Sequence, residues 1–339
     1  MEGEIIMTLK TKPIHIRPYQ IMCVICRFGS GNKGKEEYYH EKQLDLIVKK
    51  VQENPYVPLQ LFCNVKSIYS YQNPGTEYDT PEGDLFNKKR DLDILQKLGL
   101  VPGDMRPAYE MFFRVYNNIP SSLDICSYRD ETSTVWNGCR LAKTGNYEEG
   151  ISMGIKAIFP ERSACSMKEA KQISVKEIYE ATLLRIRPHH LMCMACFHAG
   201  QSKLEPIEED NLFEAIDVIR KNPLIPVELI AGPCMICPPC ECYRPAHNLC
   251  VSGSGMGLRD EKKDLDVLQI LGLKYGDIRP AKELYQLLFS RVPSTTMVCG
   301  YRDGVLRAPE WRVCRGPSGS EQYVKARKAN LGIPDLEKS

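Results

Sequence analysis

His15-Ile-Arg-Pro-Tyr-Gln-Ile-Met-Cys-Val-Ile-Cys26 returns later in the chain as Arg185-Ile-Arg-Pro-His-His-Leu-Met-Cys-Met-Ala-Cys196. The match is not isolated. Asn54-Pro55 with Pro58 returns as Asn222-Pro223 with Pro226, and Lys89-Arg-Asp-Leu-Asp-Ile-Leu-Gln-Lys-Leu-Gly-Leu100 as Lys262-Lys-Asp-Leu-Asp-Val-Leu-Gln-Ile-Leu-Gly-Leu273. Gly103-Asp-Met-Arg-Pro107 pairs with Gly276-Asp-Ile-Arg-Pro280, Cys126-Ser-Tyr-Arg-Asp130 with Cys299-Gly-Tyr-Arg-Asp303, and Trp136 and Cys139 with Trp311 and Cys314. So many matches in one order imply two copies of one domain. They span 13–160 and 183–335, with a polar linker over 161–182.

Within each copy, the Ile-x-Arg-Pro opening alternates and reads as a short strand. The following C-x-x-C is expected at the start of a helix, where unpaired backbone N–H groups favour thiolates. Lys42 to Gln52 and Leu212 to Lys221 have helical spacing and stop at Asn-Pro. Val57 to Phe62 and Pro226 to Ile230 read as buried strands. Asp91 to Leu98 and Asp264 to Leu271 are amphipathic helices ended by Gly99 and Gly272. Pro107 and Pro280 fit the first turn of a further helix, and Tyr147 to Ile158 and Glu321 to Leu331 close each copy as helices. The expected class is α+β: two tandem, helix-rich mixed α/β domains stapled by cysteine-bound clusters.

Apolar residues at 43% and charged residues at 26% mark a globular protein, and a net charge of +2 without a basic stripe gives no nucleic-acid footprint. No apolar run reaches the ~20 residues of a membrane span. MEGEIIMTLK lacks the pattern of a secretory signal, so a cytoplasmic location is expected. In that reducing compartment, paired cysteines are read as metal ligands before disulfides, and an odd total of 15 leaves no fully paired framework.

Four cysteines recur in both copies: Cys23, Cys26, Cys126 and Cys139, then Cys193, Cys196, Cys299 and Cys314. Four thiolates suffice for a tetrahedral zinc ion or a cubane cluster, which gives one four-thiolate site per copy. The alternative for each cysteine is a buried thiol packed as a small hydrophobe.

The second copy adds Gly232 to Cys250, GPCMICPPCECYRPAHNLC, with Cys234, Cys237, Cys240, Cys242 and Cys250. The first copy offers only Cys63 there, ahead of a loop over Tyr69 to Asp84. It is thus either a degenerate structural half or the side that receives a partner. A C-x-x-C-x-x-C run lets one tight loop cap three corners of a [4Fe–4S] cube, whereas zinc loops usually give one C-x-x-C per segment. Iron–sulfur is therefore favoured over zinc. The fourth ligand is Cys250, Cys242 or Cys193, with His247 a further candidate.

The second copy resembles a family of small cysteine-rich bacterial and archaeal domains of unknown function, often labelled iron–sulfur binding. The resemblance rests on Arg187 to Cys193, on Cys237, Cys240 and Cys250, and on the Asp264 to Leu273 helix. It covers about a hundred residues. It implies Cys193, Cys237, Cys240 and Cys250 as cluster ligands, competing with the grouping by repeats. Glu241 replaces a family proline, and Cys196, Cys234 and Cys242 are additional, which suggests more than one cluster.

His189-His190 stands where the first copy has Tyr19-Gln20, and serves either as a proton donor or ligand beside a cluster or as a structural pair. The arginines of the Tyr-Arg-Asp tripeptides could clamp a carboxylate or phosphate, although an ion pair with the adjacent Asp is the commoner use. Three functions follow. The first is an iron–sulfur protein of anaerobic metabolism that passes electrons to a redox partner protein. The second is an enzyme whose cluster keeps one iron open to a small-molecule substrate, with His189, His190 and Arg302 as acid, base or clamp. The third is a zinc-stapled interaction scaffold.

Overall fold

Ile14–Ile16 forms strand β1, and Pro18, which has no N–H to donate, opens helix α1 (Pro18–Gly29) directly after it. The computed structural model describes residues 12–31, 42–77, 79–130, 132–251, 257–299 and 320–334. The chain divides into two units, Met1–Pro160 and Glu161–Ser339.

In the first unit, α2 (Lys42–Glu53) ends at Asn54, and β2 (Pro58–Leu61) lies parallel to β1, with Ile14 opposite Leu59. Helix α3 (Asp84–Leu98) stops where Gly99 takes φ 64°, a left-handed cap conformation that costs glycine little. Gly103-Asp-Met-Arg-Pro107 supplies a third strand, β3 (Met105–Pro107), antiparallel to β2, and Pro107, expected in the first turn of a helix, ends that strand just before the helix begins. Helix α4 (Ala108–Asn118) follows at once, and α5 (Asn146–Met153) closes the unit. The core gathers Ile16, Ile21, Ile25, Leu59, Leu61, Ile94, Phe112 and Tyr147.

The second unit begins with α6 (Ala164–Glu180), inside the stretch expected to be a linker. Ile178 lies in the core, and Lys171 pairs with Glu214 at 2.7 Å and donates to the Asp210 carbonyl at 2.5 Å. The polar composition that suggested a linker is that of a helix showing one face to solvent. Then come β4 (Leu184–Ile186), α7 (His190–Gly200), α8 (Leu212–Lys221) and β5 (Pro226–Leu229). A two-stranded hairpin of β6 (Tyr243–Arg244) and β7 (Leu249–Cys250) precedes α9 (Leu258–Leu271), β8 (Ile278–Pro280) and α10 (Ala281–Arg291). A short turn of helix, α11 (Thr296–Cys299), and α12 (Ser320–Lys328) complete the unit. β4 runs parallel to β5 and β8 antiparallel to it, with Leu184 opposite Val227. The mixed α and β content fits the expected class. Among the described residues no helix is long and apolar enough to cross a membrane.

Each unit closes in the same manner. Tyr147 donates its hydroxyl to the Ile119 carbonyl at 2.7 Å, and Tyr323 donates to Val292 at 2.9 Å. In the first unit α1 and α5 cross so closely that a Cβ on Gly150 would lie 2.2 Å from the Ile25 carbonyl oxygen. In the second unit α7 packs against α12 with alanines, Ala195 and Ala326, buried.

Candidate metal centre

The repeated arginine and aspartate explain themselves first. Arg187, at the end of β4, gives Nε and Nη2 to Asp264 Oδ2 at 2.9 and 2.7 Å, and Asp264 Oδ1 accepts the His189 backbone N–H at 2.9 Å. One carboxylate thus ties the start of α7 to α9. Arg17, Tyr19 and Asp91 make the corresponding bonds in the first unit, at 2.8 Å for Arg17 Nε and 3.0 Å for the Tyr19 N–H. All four charged side chains are buried, which is tolerable because each is ion-paired and hydrogen-bonded.

On this frame the second unit places its histidines. His189 Nδ1 lies 2.7 Å from Asp264 Oδ1, and its Nε2 is 3.9 Å from Asp260, which Lys263 and Arg259 pair with at 2.8 Å. Burial, then the charge of Lys263, holds the His189 pKa down at about 3 despite Asp264. The ring is neutral, and the carboxylate at Nδ1 fixes which nitrogen carries the proton. His190, one residue on, turns to the cysteine loop with Nδ1 3.1 Å from Cys234 Sγ. In the first unit Gln20 fills that position and caps α1, its Oε1 accepting the Arg17 N–H at 2.9 Å.

The loop itself is wound and pinned. Cys237 N–H donates to the Cys234 carbonyl and Cys240 N–H to Cys237, each at 2.9 Å, which sets three thiols on successive turns. Arg185 and Met235 exchange two contacts at 3.2 Å against β4. Asn211 donates its backbone N–H to the Ile236 carbonyl at 3.2 Å and its side-chain amide to the Met235 carbonyl at 2.9 Å. Arg162 spans the far end, bonding the carbonyls of Pro238 at 2.6 Å and Cys240 at 3.0 Å. These polar pins act together with Ile236, which is buried in the core beside Cys234 and Cys237.

Two donor groups result, His190–Cys234–Cys237 and His189–His190–Cys193, each with its donor atoms within 4.8 Å of one another. Either could hold a metal ion. Cys234 and Cys237 sulfurs are 4.0 Å apart. Burial opposes ionisation of Cys234, but the Cys237 thiol and His190 outweigh it and hold Cys234 well below the usual thiol range. The bond to Cys234, then burial, pushes Cys237 well up. Cys240, 3.4 Å from the Cys242 N–H, is lowered to about 7 chiefly by the Cys242 thiol. Cys242 is raised by the same bond.

The remaining expected ligands are distributed elsewhere. Cys250 faces Asp260 Oδ2 at 3.8 Å, so the resemblance-based set of Cys193, Cys237, Cys240 and Cys250 is not among the donor groups, where Cys234 and His190 appear instead. Cys196 and Cys299 lie near Tyr323. Cys314 and Arg302 lie outside the described residues. In the first unit α1 carries Cys23 and Cys26 a turn apart, and Cys139 donates its N–H to the Cys126 carbonyl at 2.8 Å. The C-x-x-C does not begin that helix: α1 starts at Pro18, so Cys23 lies in its second turn, beyond the unpaired N–H groups. Cys193 comes nearer the expectation, in the first turn of α7. Reasoning from sequence overlooked Asp264, Asp260, Lys263 and Arg162. Lys263 and Asp264 stood in the repeated Lys-x-Asp-Leu-Asp helix, read only for its apolar spacing, and Asp260 lies just ahead of that repeat. No family profile, curated protein or solved structure matches this chain.

Proposed function

We propose that the protein is an iron–sulfur protein whose second unit binds a cluster and passes electrons to a partner. The observation that carries the reading is the meeting of His190, Cys234 and Cys237, with Cys193 beside His190, at a loop whose thiols follow one another turn by turn. A cluster held by thiolates is anionic. Arg187 pairs with Asp264, and Arg259 and Lys263 pair with Asp260, so basic groups stand among the carboxylates on this side of the site. Buried guanidinium and ammonium groups of this kind suit such a group. The cluster, when bound, supplies one-electron chemistry. The chain's part is to hold the thiols through Arg162, Asn211 and Met235, and to fix His189 through Asp264.

We further propose that the two units are tandem copies, a reading supported by their like strand pairings and by the paired Arg17–Asp91 and Arg187–Asp264 bridges. In the first unit Tyr19, Gln20 and Asn87 replace His189, His190 and Asp260. It therefore lacks the donors of the second.

One distance favours a different occupant. A tetrahedral zinc ion with Zn–S of about 2.3 Å places its sulfurs about 3.8 Å apart, close to the 4.0 Å between Cys234 and Cys237. A cube of four irons spreads its thiolates wider. Under this reading, Cys193, His190, Cys234 and Cys237 bind a single structural zinc. Protein purified without oxygen decides between the two. Iron with acid-labile sulfide and a reducible paramagnetic signal supports the cluster, while a colourless protein with stoichiometric zinc overturns it.

A further inference from the structure

Cys193 and the loop thiols do not fall into one donor set. Cys193 gathers with His189 and His190, whereas Cys234 and Cys237 gather with His190, each set with its donor atoms within 4.8 Å of one another. Among the described residues no set joins Cys193 to Cys234 or Cys237. His190 is the member common to both. The loop accounts for His190 Nδ1, 3.1 Å from Cys234 Sγ, but leaves His189 unexplained.

His189 is arranged as a metal-bound imidazole is. It stands four residues before Cys193 at the start of α7, and its carbonyl accepts the Cys193 N–H at 3.1 Å, so both side chains leave one face of the first turn. The His189 and His190 rings lie with centroids 4.6 Å apart, at 69° to one another. Asp264 Oδ1, 2.7 Å from Nδ1, accepts the proton of that nitrogen and leaves the lone pair on Nε2. Nε2 is 3.9 Å from Asp260, beyond hydrogen-bond reach, and Lys263 and Arg259 already hold that carboxylate at 2.8 Å. The side chain is 4% exposed, so little water is at hand for the lone pair. A carboxylate behind the other ring nitrogen is the usual support of a histidine ligand, since it fixes the tautomer and makes the ring a better donor. The first unit lacks this device: Tyr19 and Gln20 precede Cys23, and Asp91 bonds Arg17 and the Tyr19 N–H with no imidazole to hold.

We propose that the second unit has a second metal position beside the loop, with His189 Nε2 and Cys193 Sγ as its own ligands and His190 as the residue both positions use. Two imidazoles and one thiolate suit a borderline divalent ion such as zinc. The proposal shares with the reading above only that this unit binds metal, and is independent of the species that the loop holds.

The test loads the full chain with zinc and follows Cys193, which is partly exposed, by iodoacetamide labelling and mass spectrometry. Zinc should protect Cys193 and chelation should release it, in the unaltered chain and equally in Cys234→Ser with Cys237→Ser. Failure of the loop to bind a cluster would leave this result unchanged. An asparagine amide overlays Nδ1 of a histidine and has nothing at Nε2, so His189→Asn keeps the bond to Asp264 and removes the ligand alone. The variant should lose the protection of Cys193 while α7 keeps its protection from amide exchange. Should α7 loosen, Cys193→Ser decides instead, because it leaves Asp264 and His189 untouched. In the chain already lacking Cys234 and Cys237, it should release the zinc that this position held. Equal labelling of Cys193 with and without zinc overturns the proposal, and so does zinc content unchanged by Cys193→Ser. Protection that survives His189→Asn means that other residues hold Cys193, and protection lost with Cys234 and Cys237 means a single centre. Either result is equally fatal to the proposal.

Discussion

Replacing Asp264 by Asn keeps the shape of the side chain and removes its charge. Four contacts converge on that carboxylate: two from Arg187, one from the His189 N–H and one from His189 Nδ1. Arg187 is 3% exposed and its ion pair is with Asp264, so the variant strands a buried guanidinium. Losing one partner of a buried pair costs about 3–5 kcal/mol, a large share of the ~5–15 kcal/mol that holds a domain folded. Amide exchange in α7 should then speed up by roughly two to four orders of magnitude, because protection reports the free energy of opening. The first unit provides the control. Asp91→Asn should be milder in α1, because Arg17 also pairs with Asp79 and so keeps one carboxylate. Exchange in α7 of Asp264→Asn within a factor of ten of the unaltered chain would refute the claim that this carboxylate anchors the site. So would an equal effect of the two substitutions.

Gly150→Ala should force α1 and α5 apart, since the new Cβ would meet Ile25 at 2.2 Å. A loss of about 1–3 kcal/mol, outweighing the ~1 kcal/mol gain in helix propensity, is expected in chemical denaturation followed through the first unit. Arg162→Ala removes two charge-assisted bonds, worth about 1.5–3 kcal/mol when buried. As Arg162 is only half-buried, metal should leave the second unit about tenfold faster in chelator competition, with Cys234 and Cys237 themselves intact. Burial raises the Glu148 pKa, but the Ser121 and Ser122 donors outweigh it and hold the carboxyl below its ordinary value. Its contribution is therefore present above the usual carboxylate range and lost as pH falls through the folded-state value. The acid unfolding of Glu148→Gln should accordingly lack that part of the pH dependence.

Most helices and the strands β1, β2, β4 and β5 were legible because periodicity and Asn-Pro or glycine stops are local signals. β3 and β8 were not, since a three-residue strand carries no period of its own and is defined by its neighbour. α6 was misread for the converse reason. Its exposed face is polar, and only Ile178, Lys171 and Ser174 reach inward. At the site, the cysteines announced themselves by spacing, and the choice of His190 followed from its departure from Gln20. What spacing could not convey was which thiols meet. Cys250 lies on a hairpin that turns it towards Asp260, while Cys234, absent from the resemblance-based set, is the thiol that reaches His190. The buried charges were hidden for a related reason: a Lys or Asp on an amphipathic helix reads as solvated until the fold encloses it.

The most direct test of the account is the metal content of anaerobically purified chain beside that of Cys234→Ser with Cys237→Ser. A bound metal centre in the unaltered chain, with that part of the metal lost in the double variant while α7 stays protected from exchange, is the predicted result. Equal metal in both, or none in either, would contradict the central claim that these two thiols and His190 form a metal centre.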